Sequence, residues 1–356
     1  MADGLRIGQI APISAPVAPD TGSSIEQIVS LLTEELVRRG HEVTLFACGE
    51  SQTSARLHAV YPRSFYADDE LWNWELHDQL NAAAAFERAE EFDVIHSHAY
   101  HFALPFTRLV RTPVVHTYHV SINADITRAY SRFPEARVVA ISDYQRQKMK
   151  GLLDVPVIHH GIDVDGHPSR RHPGDYLIFV GRMIPEKGPL EAIALAEATG
   201  LPLVLVGPPS DYFHAHVEPR IDGDCVRYAG AMGPAARNEL LADAAALVYP
   251  LTVSEPFGMV PIEAMACGTP VAALAAGAVP ELVDVGVTGY HATDLESLVR
   301  LIPDVLALDR ARVRETAARR FDYRRMTDEY EEVYERALAA RHGRGRKTRS
   351  RYLRAP

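Results

Sequence analysis

Apolar runs of strand length alternate with amphipathic stretches of helix length along nearly the whole chain, a pattern that a parallel sheet covered by helices satisfies. Leu5-Arg6-Ile7-Gly8-Gln9-Ile10 reads as a strand, 24–39 as a helix closed by Gly40, and 42–47 as the next strand, which makes a βαβ unit. Strand patterns recur at 94–97, 113–118 and 138–142. The stretch 164–175 is rich in Pro, Gly, His and Arg and breaks the periodicity. The alternation then restarts with strand 176–180, helix 189–199, strands 203–206 and 226–228, helix 235–243 and strand 246–249. Two α/β domains are expected, 1–163 and 164–340, and 356 residues at 47% hydrophobic suffice for two ordinary cores. A charged helical stretch at 324–340, with Tyr323, Tyr330 and Tyr334 as its apolar stripe, closes the series and is free to pack back on the first domain.

Charge and cysteine content narrow the class. The net charge is −10 although residues 341–356 carry seven Lys/Arg and no Asp/Glu, so the body is more acidic still and makes a poor surface for nucleic acid or anionic membrane. That basic tail is expected to be disordered and solvated, with membrane contact as the less favoured reading. Cys48, Cys225 and Cys267 are odd in number and scattered, which argues against a disulfide framework or a Cys-ligated zinc site and for a reducing cytoplasm. The N-terminus runs directly into a strand without a signal-peptide pattern, and no apolar run reaches membrane-spanning length.

Two open α/β domains each place a crevice outside the carboxyl ends of their strands, so a cleft between them is the expected site. Gly181-Arg182-Met183-Ile184-Pro185-Glu186-Lys187-Gly188 joins the first strand of the second domain to its first helix, and Arg182 and Lys187 there form a candidate diphosphate clamp. The spacing is not Walker A, and no G-x-G-x-x-G follows either first strand. Glu255 and Glu263 bracket Pro256-Phe257-Gly258-Met259-Val260-Pro261-Ile262, with Glu255 on a loop and Glu263 about 8 Å along the helix that follows. A carboxylate that accepts two hydrogen bonds reads a vicinal diol such as a ribose, and the N–H groups of Phe257 to Val260 can hold sugar oxygens or phosphate. A glycosidase pair also uses two carboxylates, but a phosphate clamp beside them argues against it.

These motifs, with His160-Gly161-Ile162-Asp163 and Cys267-Gly268-Thr269-Pro270-Val271, resemble a family 4 retaining glycosyltransferase of GT-B fold, over nearly all of the chain but the tail. The resemblance implies two doubly wound Rossmann-like domains facing each other across a cleft, and transfer of a sugar from a nucleoside-diphosphate donor to a hydroxyl acceptor such as a saccharide, without metal or other cofactor. It implies that Arg182 and Lys187 neutralise the departing diphosphate, that Glu263 binds the ribose, and that Glu255 holds hydroxyls of the transferred sugar. His119 matches the family's histidine beside the donor sugar. Gly181, Pro256, Phe257, Gly258, Met259 and Val260 line the donor, and the base lies between Gly207-Pro208-Pro209 and Ala229-Gly230-Ala231-Met232. A sugar-nucleotide epimerase of the same fold and a non-catalytic binding module are the competing readings.

One stretch departs from the family pattern. Two adjacent glycines usually approach the donor phosphate after the first strand; here Gly22 is followed by Ser23 and Ser24, whose Cβ atoms limit close approach unless Gly22 supplies the freedom one residue earlier. Histidines are numerous, and His96 and His98 share a face, but cleft-lining histidines satisfied by protein partners are the favoured reading over a metal pair. Asp163-Val164-Asp165 is read as structural. For the acceptor, Tyr66, Trp72, Trp74, Tyr100 and Phe102 form a candidate aromatic platform, although Leu71, Trp74 and Leu76 are more simply expected to anchor a helix in the core.

Overall fold

The computed structural model describes residues 4–71 and 73–352, with side chains through residue 340. Trp72 and the side chains of the basic tail therefore lie outside the described residues. The chain divides into two compact units: the first takes the chain up to Ile141, Gln145–Gly161 and everything from Tyr323 on, and the second takes Ser142–Tyr144 and Ile162–Asp322.

The first unit contains β1 (Arg6–Ile10), α1 (Ser24–Arg38), β2 (Glu42–Phe46), β3 (Arg56–His58), α2 (Trp74–Glu87), β4 (Val94–Ser97), β5 (Val114–Thr117), α3 (Ala124–Ser131) and β6 (Arg137–Val139), and a short α4 (Asp143–Lys148) follows. All its strand pairs are parallel, in the order β3-β2-β1-β4-β5-β6. Central strands covered on both faces are buried at every position, as β4 and β5 are. Helix α1 forms because Ile28, Leu32 and Leu36 recur every four residues and bury one stripe. Ile10, Phe46, Phe86, Phe92, Ile95 and Val114 meet in one apolar cluster.

The second unit repeats the plan with β7 (Leu177–Val180), α5 (Pro189–Thr199), β8 (Leu203–Val206), β9 (Val226–Gly230), α6 (Pro234–Asp243), β10 (Ala246–Tyr249), α7 (Met259–Ala266), β11 (Val271–Leu274), α8 (Val279–Leu282), β12 (Gly289–Ala292), α9 (Leu295–Leu306) and α10 (Arg310–Phe321). Its parallel order is β12-β11-β10-β7-β8-β9, the same winding as in the first sheet. Alternate residues Leu177 and Phe179, Leu203 and Leu205, and Ala246 and Val248 join Ile193 and Leu298 in its core.

The last helix, α11 (Tyr323–Tyr352), belongs to the first unit and not to the sheet that precedes it in sequence. Its stripe explains why: Tyr330 and Tyr334 are fully buried, and their hydroxyls reach polar side chains on β4 and β5. Helix α2 differs from expectation. Trp74 and Leu76 are 36% and 47% exposed, so neither anchors the helix. Its buried face is instead Asp78, Asn81, Ala82, Ala85 and Phe86, because polar side chains there meet backbone groups at the strand ends beneath it. Asn81 donates to the carbonyls of Ala11 and Phe46 at 3.0 and 3.2 Å, and Asp78 accepts from the N–H of Ile13 at 2.9 Å.

Candidate functional site

In the second sheet the strand order turns between β7 and β10, the position at which loops diverge and open a crevice at the strands' carboxyl ends. The loops that follow these two strands clasp each other there. The N–H of Thr252 donates to the carbonyl of Glu186 at 3.1 Å, and its hydroxyl donates to the carbonyl of Pro185 at 3.2 Å. Beside that seam Lys187 Nζ donates to Glu255 Oε1, and the Tyr249 hydroxyl donates to Glu255 Oε2 at 2.6 Å. Burial, reinforced by the Glu255 carboxylate, pushes the Tyr249 phenol well above its ordinary pKa, so it remains a donor. Arg182 is exposed on the same loop and, among the described residues, has no ion-pair partner.

Glu255 is fixed from below by a glycine. Gly277 lies at φ +60°, and a Cβ there would sit 2.2 Å from the carbonyl oxygen of Glu255 and 2.5 Å from its nitrogen. Helix α7 starts after Gly258 with no side-chain cap, and Pro261 removes one N–H from its first turn. Gly258, Met259 and Val260 are left as the donors of an anion-accepting helix start. One turn on, Glu263 is buried; its Oε1 accepts from Arg237 of α6 at 2.8 Å, while Oε2 has no partner among the described residues. The expected base-binding loops are joined directly. The Gly207 N–H donates to the Gly230 carbonyl at 3.0 Å and the Tyr228 hydroxyl to the Gly207 carbonyl at 2.7 Å, while Ala231 is exposed and Met232 half-buried. Gly207 has φ +147°, and a Cβ would lie 1.9 Å from the carbonyl oxygen of Gly181, so these loops approach as only glycine allows.

The first sheet turns between β1 and β4, and a buried polar chain runs there. His119, just past β5, contacts His98 Nδ1 through Nε2 at 2.9 Å and His160 Nε2 through Nδ1 at 3.4 Å, with the His119 and His160 rings stacked. His98 Nε2 meets Gln9 Oε1 at 2.8 Å, and Gln9 Nε2 donates to the Tyr334 hydroxyl at 3.4 Å. His96 lies between Tyr334 and Thr117, at 2.7 and 2.8 Å. Burial lowers the pKa of all these rings, His119 to about 3, and holds them neutral. His96 and His98 are therefore fully buried and satisfied on both nitrogens, not exposed along a cleft.

The loop after β1 is less glycine-like than the family pattern. Gly22 is exposed with no positive φ, so it does not supply the freedom that the serines lack, and the Ser23 hydroxyl donates to Glu26. Ser24 is exposed at the start of α1. A cavity of about 550 Å³ opens beside this loop, lined among others by Ala15, Asp20, Ser23, Glu50 and Tyr66. Trp74, Tyr100 and Phe102 form an edge-to-face cluster with centroids 5.6 to 5.8 Å apart, whereas Tyr66 is 77% exposed and packs on Phe65. Tyr100 has φ +48°, an uncommon conformation for a bulky residue, two positions after His98. Asp163 closes a local turn, accepting from the Gly166 N–H at 3.2 Å. Tyr249, Arg237 and Gln9 are site residues that the sequence did not single out.

Comparison with known proteins gives these loops a family. Residues 25–165 match the model of Glycosyltransferase Family 4, and residues 167–320 that of Glycosyl transferases group 1. D-inositol 3-phosphate glycosyltransferase of Mycolicibacterium paratuberculosis is 30% identical, covering 94% of this chain and 90% of the relative. AviGT4, a glycosyltransferase involved in avilamycin A biosynthesis, has a crystal structure that is 27% identical with TM-score 0.72, covering 94% of this chain and 98% of that one. Anabaena Alr3699/HepE, solved in complex with UDP and glucose, is similar in fold at 19% identity and TM-score 0.68, with 93% and 99% coverage. No described helix is long and apolar enough to cross a membrane. With these likenesses spanning both units, the chain belongs to family 4 of the glycosyltransferases and has the GT-B fold.

Proposed function

We propose that the protein is a retaining, metal-independent glycosyltransferase that moves a hexose-type sugar from a nucleoside-diphosphate donor to a hydroxyl of an uncharged saccharide or other polyol. The observation that carries this reading is the Lys187–Glu255–Tyr249 cluster at the turn of the second sheet, beside the uncapped start of α7. Arriving diphosphate takes the charge of Lys187 and Arg182 and the N–H groups of Gly258 to Val260, which frees Glu255 Oε1 to accept from sugar hydroxyls. The buried Glu263 Oε2 is an acceptor without a donor among the described residues, a state that costs about 1–3 kcal/mol and that a ribose hydroxyl relieves. Alr3699/HepE, with its bound UDP, supports a nucleotide donor by analogy of fold. Both glutamates are committed as hydrogen-bond acceptors, so neither is assigned as a nucleophile. Retention then follows from attack by the acceptor on the face the diphosphate leaves, with the leaving phosphate taking the acceptor's proton. By the family resemblance, His119 is assigned to a hydroxyl of the transferred sugar.

The acceptor assignment rests on the cavity beside the β1 loop, whose charged lining residues are Asp20 and Glu50. Two carboxylates accept hydrogen bonds from hydroxyls and repel a phosphate. The mycobacterial relatives are named for an inositol phosphate; here the unphosphorylated polyol is the expected class. Three free thiols, Cys48, Cys225 and Cys267, fit a reducing cytoplasm.

Incubation with UDP-, GDP- and ADP-sugars, with and without candidate acceptors, tests the proposal. Transfer releases nucleoside diphosphate faster when acceptor is present, gives a product with the donor's anomeric configuration by NMR, and continues in a chelator. Epimerisation changes the sugar without release, and a binding module does neither. Faster turnover of a polyol phosphate than of the parent polyol would overturn the acceptor assignment alone.

A further inference from the structure

The buried chain that ends at His119 has a direction. Gln9 Oε1 can only accept, so His98, 2.8 Å away and neutral, carries its proton on Nε2 and leaves Nδ1 bare. That bare nitrogen faces His119 Nε2 at 2.9 Å, which must therefore donate. His119 is neutral as well, and its Nδ1 is left as a lone pair. The other end of the chain is compatible with this direction. Gln9 Nε2 donates to the Tyr334 hydroxyl, whose own proton goes to His96 Nδ1 at 2.7 Å; His96 Nε2–H then meets Thr117 Oγ1 at 2.8 Å, and that hydroxyl has the Tyr330 oxygen at 3.0 Å. Each donor along the chain meets one acceptor.

We infer that Gln9 and His98 are positioning residues that lock His119 as its Nε2–H tautomer, so that His119 presents Nδ1 to the transferred sugar as a hydrogen-bond acceptor and not as a donor. Nε2 is already occupied by His98, and the contact at Nδ1 is the long one, 3.4 Å to a stacked His160, so Nδ1 is the nitrogen a ligand can claim. The choice has chemical weight. A lone pair orients a sugar hydroxyl and tolerates the positive charge that develops at the anomeric carbon, whereas an N–H in the same place opposes it. Reversing the Gln9 amide reverses every bond toward His119 and turns Nδ1 into a donor, so the two states are experimentally distinct. The inference deepens the glycosyltransferase reading and rests on it for the role of His119, but the tautomer itself is a property of the free protein.

The experiment is 15N NMR of the full chain labelled at histidine, with the His119 signals identified by their loss in His119→Gln. The expected spectrum has a protonated Nε2 and a bare Nδ1 at His119. In His98→Leu the lock is gone: His119 becomes a tautomeric mixture, kcat falls about tenfold and the donor KM stays within about twofold. His98→Asn, whose side-chain oxygen lies near the lost Nδ1 and also accepts, restores both the tautomer and most of kcat. Gln9→Leu loosens the lock from one residue further away and serves where His98→Leu does not fold. A wild-type His119 protonated on Nδ1 overturns the inference, and so does a shifted tautomer with unchanged kcat. If no donor is turned over at all, the function reading fails while the spectrum still decides the tautomer.

Discussion

At the scale of single residues, two side chains expected to hold different parts of the donor hold each other. Lys187 and Glu255 are 68 positions apart, and each was legible as chemistry: a cation on a strand-to-helix loop, and a carboxylate before a helix start. Their pairing was not legible, because it depends on β7 and β10 being neighbours in the sheet. Tyr249 and Arg237 carry no functional signal in the sequence for a simpler reason: a tyrosine that ends an apolar strand reads as packing, and an arginine on an amphipathic helix reads as a solvated charge. Lys187→Ala, Glu255→Ala and His119→Ala are each expected to reduce turnover at least about tenfold, or about 1.4 kcal/mol in the barrier. Because the first two share one contact, the double variant Lys187→Ala/Glu255→Ala should lose less than the sum, by about 0.5–3 kcal/mol. Strictly additive rate losses would show that the pair in the free protein is irrelevant to the transition state.

At the scale of elements, most of the strand and helix alternation could be read directly from apolar periodicity, and what could not be read is instructive. In α2 the large apolar residues Trp74 and Leu76 suggested the wrong face, since the face that is buried serves strand-end backbone groups through Asp78 and Asn81. Burial pushes the Asp78 carboxyl up to about 7. The sign follows from linkage: a folded pKa above the unfolded value of about 3.9 means the unfolded state ionises first, so stability falls as pH rises from about 4 to 7 and is flat above. Asp78→Asn keeps an acceptor for the Ile13 N–H and removes the ionisation. It should raise stability at pH 8, by at most about 4 kcal/mol, and leave it nearly unchanged at pH 4; denaturant melts at the two pH values check this. A loop element gives a second test. Gly277→Ala places a Cβ against the backbone of Glu255 at positive φ and should cost roughly 1–3 kcal/mol of stability from strain, with a loss of turnover comparable to that of Glu255→Ala. Turnover equal to wild type in a folded Gly277→Ala protein would show that Glu255 does not need its present backbone position.

At the scale of the whole molecule, the two units share one winding order but differ in what they bury. The first holds five buried neutral histidines, His96, His98, His116, His119 and His160, each with its pKa lowered chiefly by burial. In the second, among the described histidines, only His291 has a resolved shift, also downward and caused by burial. A folded pKa below the unfolded value of about 6.5 gives stability that is present above that pH and lost as pH falls, because the unfolded chain takes up protons that the folded one refuses. Two buried carboxyls in the first unit, Asp78 and Glu26, have raised pKa values and act in the opposite sense, binding protons in the folded state. Five protons against at most two leaves a net uptake of at least about three on unfolding below pH 6, or about 4 kcal/mol per pH unit, and the lowered pKa values of His58, His101, Glu35, Glu50 and Glu91 act in the same direction, against a total stability on the order of 5–15 kcal/mol. The first unit should therefore unfold between about pH 6 and 4 while the second, with a slope near one proton, persists to lower pH. Both tryptophans fall in the first unit's stretch of chain, so an acid titration of the full chain separates the two: tryptophan fluorescence should change in that window while a large part of the far-UV circular dichroism remains. Coincident transitions by the two probes, or fluorescence that is flat to pH 4, would mean that the buried histidines are not what limits the first unit in acid.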